Sequence, residues 1–307
     1  SDLFVGAAVS PFKYMEPDLW GQYLKLCKKR RAGADYFITQ VGWDVKKFQE
    51  LKLYMNRSGM ADVPVLGSVF VMRMRLVSTL FRARVAGMVI PDDLNGRYLG
   101  RLRSKKERRR IRKMSFVELM DWQALAEAAA KAIREVDTRH AIIVEPAAGG
   151  NPNGLVGFRP IDVPNVVYSV HMYLPHSFTH QGVRGQWSKQ YTYPGEIGGK
   201  HWDKARLEQA LKPAIDFQKT FNVHMYIGEF SAIRWAPDNS AHRYLRDCID
   251  IFEAHGWDWT YHAYREWTGW SVEHSNDREQ GKATKEPNDR QILLRSWLKK
   301  NQKPQWD

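Results

Sequence analysis

A chain of 307 residues with 43% hydrophobic residues and 12 tryptophans can bury a large core, and it has the size of one α/β barrel. It holds no run near the ~20 apolar residues that cross a bilayer, and its two cysteines, Cys27 and Cys248, exclude a disulfide framework or a cysteine-rich zinc site. The formal charge of +13 is unevenly placed: Arg101–Lys113, "RLRSKKERRRIRK", carries nine basic residues and one acidic one and so supplies +8 of it. Without interleaved aromatics this run fits a solvated helix better than a base-reading surface; what it offers is salt-sensitive, nonspecific polyanion binding.

In chain order, the opening "SDLFVGAAVS" has no charged leader and runs straight into a strand pattern at 3–9, so it does not read as a signal peptide. No feature names a compartment. A helix follows over 18–34, with apolar residues at Leu19, Tyr23, Leu26 and Cys27 and a glycine stop. Then come a strand at 36–43, a helix at 45–59, a strand at 63–71 and a weaker one at 86–91. Residues 92–120 are basic and polar, with no strand of their own, and mark a join. Beyond it the pattern predicts a helix over 121–137 rich in Ala, Leu, Glu and Lys, then strands at 141–146 and 166–173. A helix at 203–221, a strand at 224–230, a helix at 240–256 and a strand at 259–264 complete the series. The strands are short, continuous and rich in Val and Ile, as strands buried on both faces are. Alternation of this kind implies parallel strands with right-handed crossovers, and eight such units fit a closed (β/α)8 TIM barrel. An open doubly wound sheet is disfavoured because no GxGxxG turn follows the first strand.

Two families are recognisable in different parts. "AGADYFITQVGWD" and "VPVLGSVFVM", within about residues 2–95, resemble the later strands of the methylenetetrahydrofolate reductase barrel. That likeness implies a flavin-dependent reductase. It places Gln40 on the folate-contacting glutamine and Lys29 where a lysine helps hold the phosphates of FAD. The family's early strands, with its acidic catalytic residue and most of its flavin site, have no counterpart.

From about residue 121 the chain is similar to glycoside hydrolase family 5, the cellulase-type retaining enzymes. The likeness rests on "LAEAAAKAIREVDTRHAIIVEPAAGG", "NVVYSVHMYLPHSFTHQGV", "MYIGEFSAIRW" and "GWDWTYHAYREWTGWSVEH". Retaining hydrolysis needs a nucleophilic carboxylate and a proton-donating acid about 5–5.5 Å apart. The resemblance puts Glu229 at the nucleophile and His171 and Tyr173 beside the catalytic carboxylates. Two residues apart on one strand, His171 and Tyr173 share a face, and a tyrosine hydroxyl there can hold the nucleophile ionised and aimed. Trp259, Trp267, Trp270 and His262 are the candidate contacts to a β-linked oligosaccharide. The family's Asn-Glu-Pro motif, which carries its general acid, does not occur in this chain, and Glu145 in "IIVEP" is the one well-placed substitute.

The expectation is therefore one barrel over 1–307: a reductase-like part to 95, a basic junction at 96–120 and a glycosidase-like part over 121–307. Its function is expected to be that of a weak retaining β-glycosidase that needs no cofactor and no metal. The alternatives are a catalytically inactive chimeric scaffold, joined by gene fusion or in the laboratory, and a flavin- or folate-binding protein.

Overall fold

A computed structural model describes residues 5–13, 15–42, 44–68, 122–135, 137–147, 149–183, 189–263 and 267–301. The chain divides into two compact units, residues 1–120 with 299–307, and residues 121–298. The basic run Arg101–Lys113 and the expected strand at 86–91 lie outside the described residues.

In the first unit β1 (Gly6–Val9), β2 (Tyr36–Thr39) and β3 (Val65–Leu66) form a parallel sheet in that order. Between them run α1 (Glu16–Arg31) and α2 (Val45–Arg57). Helix α1 starts with Glu16 and Asp18 in its first turn and ends on Lys28, Lys29, Arg30 and Arg31, a charge order that opposes the helix dipole. The Asp44 side chain caps α2 by accepting from the backbone N–H groups of Lys46 and Lys47. Leu19, Tyr23 and Leu26 of α1 and Leu51 and Met55 of α2 pack with Val9 and Phe37 into one core.

The second unit begins with α3 (Trp122–Arg134) and holds a four-stranded parallel sheet in the order β4, β5, β8, β9. These strands are β4 (Ile142–Val144), β5 (Val166–Met172), β8 (His224–Phe230) and β9 (Asp258–Tyr261). A short helix, α4 (His176–Thr179), and an antiparallel hairpin of β6 (Gly195–Ile197) and β7 (Lys200–Trp202) lie between β5 and the next long helix. That helix is α5 (Lys204–Phe221), capped at its start by Asp203 and at its end by Asn222 in the left-handed conformation. Helices α6 (Ser240–Ala254) and α7 (Asp289–Leu298) complete the unit.

Tyr168, Val170 and Met172 of β5 and Met225, Ile227 and Phe230 of β8 point into the core shared with Leu207, Leu211 and Ala214 of α5 and Tyr244, Leu245, Ile249 and Phe252 of α6. Burying such a side chain stabilises by about 1.5–3 kcal/mol relative to leaving it in water, so this face fixes the strand register. The opposite face of the same strands is left for polar groups. Among the described residues no helix is long and apolar enough to cross a membrane.

Candidate active site

The polar face of β5 carries Ser169 and His171, and Tyr173 follows one residue past its end. Glu145 follows β4, which pairs in register Val144 to Tyr168 and so brings the carboxylate beside Ser169. Its Oε1 accepts from Ser169 Oγ at 3.2 Å and from His171 Nε2 at 2.7 Å, while its backbone oxygen accepts from Trp122 Nε1 at 2.8 Å. Glu229 on β8 faces the same histidine from the other side. Tyr173 donates its hydroxyl to Glu229 Oε2 at 2.9 Å, and His171 Nδ1 stands 3.7 Å from that oxygen. His171 is thus seated between two carboxylates. Its side chain is 17% exposed, against 41% for Glu145 and 36% for Glu229.

Glu229 reaches this face through a break in strand alternation. Val170 pairs with Ile227 but His171 pairs with Glu229, so Gly228 is an extra residue on β8. Strict alternation from the core-facing Ile227 would send Glu229 to the core as well. The extra residue turns Glu229 toward His171 and Tyr173 and sends Phe230 into the core, edge-on to Phe252 at 5.1 Å. Only glycine fits at 228: a Cβ there would lie 2.5 Å from Ser169 Oγ, 3.1 Å from His171 Nε2 and 3.2 Å from Glu145 Oε1. The Gly228 carbonyl accepts from Thr260 Oγ1 at 2.7 Å, which ties the bulge to β9.

Burial pulls the His171 pKa down, but the hydrogen bond and charge of Glu145 and the charge of Glu229 outweigh it and hold the pKa above the usual 6.5. His180, beside Tyr173, behaves oppositely: burial, then His176 and His262, bring it down to about 4. A carboxylate held by a tyrosine hydroxyl and flanked by an imidazole is equipped for nucleophilic attack at an electrophilic carbon.

Trp270 lies with its ring centroid 5.8 Å from that of Tyr173, 5.3 Å from His262 and 5.2 Å from Trp267, which is 39% exposed. Residues following β9 thus place Trp267, Trp270 and His262 in one cluster with Tyr173. Trp259 does not join them. Its indole nitrogen donates to Glu253 of α6 at 2.8 Å and its ring packs edge-on against Phe230, on the helix side of the sheet. Trp259, expected among the sugar contacts, pairs with Ile227, before the bulge, and shares that residue's core-facing parity.

The loop bearing Trp267 and Trp270 is held from below by Arg234, which is 1% exposed. Its guanidinium donates to the carbonyls of Thr268 at 2.9 Å, Ser275 at 2.6 Å, Arg278 at 3.0 Å and Gln280 at 3.0 Å, and also to that of Asp277. Ser169, Gly228, Thr260 and Arg234 are members of this arrangement that residue patterns did not single out. Ser169 alone had a readable signal, two residues before His171 on one strand face.

In the first unit Lys29 Nζ donates to the Ala8 carbonyl at 2.5 Å, and Gln40 Oε1 accepts from the Val41 N–H at 2.9 Å. Both side chains are engaged with the chain's own backbone rather than set out as a cradle for a flavin phosphate or ring. Among the described residues no group of His, Cys, Asp and Glu could hold a metal ion.

Comparison with known proteins agrees with a chain of two parentages. Residues 5–133 match the methylenetetrahydrofolate reductase family, and residues 111–275 match the cellulase family, glycosyl hydrolase family 5. The two matches overlap over 111–133, so the reductase likeness runs further than residue 95 and the cellulase likeness starts before residue 121. Endoglucanase C of Acetivibrio thermocellus is 28% identical over 169 residues, 46% of this chain and 49% of that protein. The chain thus spans about half the length of this curated relative. A hyperthermophilic endo-beta-1,4-glucanase solved with substrate superposes with a TM-score of 0.57 at 17% identity, over 97% of each chain. Thermotoga maritima Cel5A, solved in mutant form with cellobiose, gives 0.59 at 18% identity over 95% of this chain and 96% of that one. These likenesses give the fold class, α/β of the (β/α)8 barrel type. With more than half of its residues matched by that one family, the chain belongs to glycosyl hydrolase family 5.

Proposed function

We propose that the protein is a retaining β-glycosidase of weak turnover, acting on β-linked oligosaccharides of the cellulose type, with Glu229 as nucleophile. The observation that carries this reading is the Tyr173 hydroxyl donating to Glu229 Oε2 at 2.9 Å, on a side chain 36% exposed. The hydroxyl keeps the carboxylate aimed, and the exposure leaves it open to an anomeric carbon. The relatives named as endoglucanases support the substrate class. The absence of Asn-Glu-Pro supports the weakness, since losing a general acid lowers rates by about 10²–10⁴-fold. Turnover should then be best on glycosides whose leaving group needs no proton.

The test is a 2-fluoro β-cellobioside with an activated leaving group, followed by intact mass and peptide mapping. Formation of the glycosyl-enzyme needs no acid, so the expected result is one sugar added at Glu229. An unmodified, colourless protein would leave a catalytically silent scaffold. An unmodified protein with yellow flavin absorbance would favour the reductase-like reading instead.

A further inference from the structure

We propose that His171, oriented by Glu145, supplies the proton that the missing Asn-Glu-Pro glutamate would otherwise give, making the acid of this site an imidazolium backed by a carboxylate. The inference rests on the reading of Glu229 as nucleophile. Three observations lead to it.

The first is aim. Nε2 of His171 is tied to Glu145 Oε1 at 2.7 Å, which fixes the ring and leaves Nδ1 facing Glu229 Oε2 at 3.7 Å. That separation is too long for a hydrogen bond, so Nδ1 lies beside the nucleophile without being bonded to that oxygen. The backbone that carries the ring is fixed as well: the His171 backbone N–H donates to the Gly150 carbonyl at 2.7 Å, and the bare backbone of Gly228 leaves room for Nε2.

The second is the role of Glu145. It receives Ser169 Oγ and His171 Nε2 on one oxygen, and Trp122 holds its backbone carbonyl. This is a carboxylate employed as an acceptor, the part a positioning residue plays behind a catalytic histidine.

The third is charge. Among the described residues, the groups facing the ring are Glu145 after β4, Glu229 on β8, and Ser169 and Tyr173 along β5. Two of them are carboxylates, and together they hold the imidazole protonated above its usual 6.5 in spite of burial.

The Glu229 carboxylate bonds to the anomeric carbon while the glycosidic C–O bond breaks. Its electron pair goes to the leaving oxygen, which takes the proton from His171 Nδ1. The sugar remains as an ester of Glu229, and the imidazole is neutral. Nδ1 then removes a proton from water as the water oxygen bonds to the anomeric carbon, and the ester pair returns to Glu229. One water and one glycosidic bond are consumed, and two hydroxyl groups form.

The test uses the whole protein with dinitrophenyl and phenyl β-cellobiosides across pH, alongside an NMR titration of the His171 ring nitrogens. For the phenyl substrate kcat/KM should fall as pH rises through one ionisation above 6.5, the same one seen by NMR, whereas the dinitrophenyl profile should not fall there. Glu145→Gln should move both the NMR ionisation and the phenyl limb to lower pH. His171→Gln should cost the phenyl substrate about 10²–10⁴-fold and the dinitrophenyl substrate far less. The proposal is overturned by a phenyl limb that Glu145→Gln leaves in place, by equal losses on both substrates in His171→Gln, or by a native protein that never turns over the phenyl substrate. A labelled Glu229 with an unmoved limb sinks this inference alone, while failure of Glu229 to take the 2-fluoro sugar removes the nucleophile and this inference with it.

Discussion

Arg234→Met is the substitution with the largest expected effect on the folded state. The side chain is 1% exposed and its guanidinium serves five backbone carbonyls, those of Thr268, Ser275, Asp277, Arg278 and Gln280. A buried acceptor stripped of its donor costs about 1–3 kcal/mol, so five at once would approach the entire stability of a domain, about 5–15 kcal/mol. The loop would open to water before bearing that cost. The loss is therefore capped near the figure for breaking one buried charged hub, about 3–5 kcal/mol. At about 2–4 °C per kcal/mol for a unit of this size, Tm should fall by roughly 10 °C. Circular dichroism melting measures the total, and amide hydrogen exchange over 268–280 should show that segment opening first. Arg234→Lys, with three donors for five acceptors, should fall between. A Tm for Arg234→Met within about 2 °C of the native value would refute the reasoning.

Tyr173→Phe removes one hydrogen bond to a charged group, about 1.5–3 kcal/mol, and should slow labelling of Glu229 by the 2-fluoro sugar about 10–100-fold; an unchanged rate would mean the hydroxyl does not aim the carboxylate. Gly228→Ala pushes a methyl against Ser169 and His171 and should cost about 1–3 kcal/mol in urea unfolding while also slowing that labelling, so a variant as stable as the native protein contradicts the close approach. Trp259→Ala should lower Tm through lost packing on Phe230 yet leave cello-oligosaccharide affinity, measured by calorimetry, within about twofold; a large affinity loss would return Trp259 to the sugar site. His180 has a folded-state pKa of about 4, below the unfolded value, so the unfolded chain takes up its proton first as pH falls. Stability should accordingly be lost between pH 6.5 and 4, by no more than ~3 kcal/mol. His180→Phe should flatten that part of a pH–stability curve measured in urea.

The sheet was readable where burial on both sides imposes continuous apolar runs. The strand expected at 224–230 is observed with those bounds, and the helices expected at 18–34 and 240–256 appear at Glu16–Arg31 and Ser240–Ala254. The short helix α4, the hairpin of β6 and β7, and helix α7 were not anticipated. The hairpin of β6 and β7 is only three residues a side, but Gly198 and Gly199, both at positive φ, carry the turn signal that marks it. Helix α7 follows a long polar stretch and is ten residues long, too short for its period to stand out. In the site, period-two spacing suffices for His171 and Tyr173, because β5 alternates regularly on that face. For Trp259 the residue type suggests a sugar platform, whereas its parity turns it to the helix side of the sheet, against Phe230 and Glu253. The carbonyls gathered around Arg234 could not be read at all, since backbone acceptors leave no mark on residue identity.

The single surplus residue in β8 bears on how such a chain can change its remaining parts. The direction in which Glu229 looks is decided within a few ångströms, by Gly228 and by β5, the neighbouring strand that pairs across it. A segment spanning β5 to β9 therefore carries its own aiming device wherever it is transplanted, provided the bulge at Gly228 is kept. Were the same residues paired in unbroken alternation from Ile227, without that bulge, the same glutamate, with every partner still present, would be delivered to the oily side of the sheet.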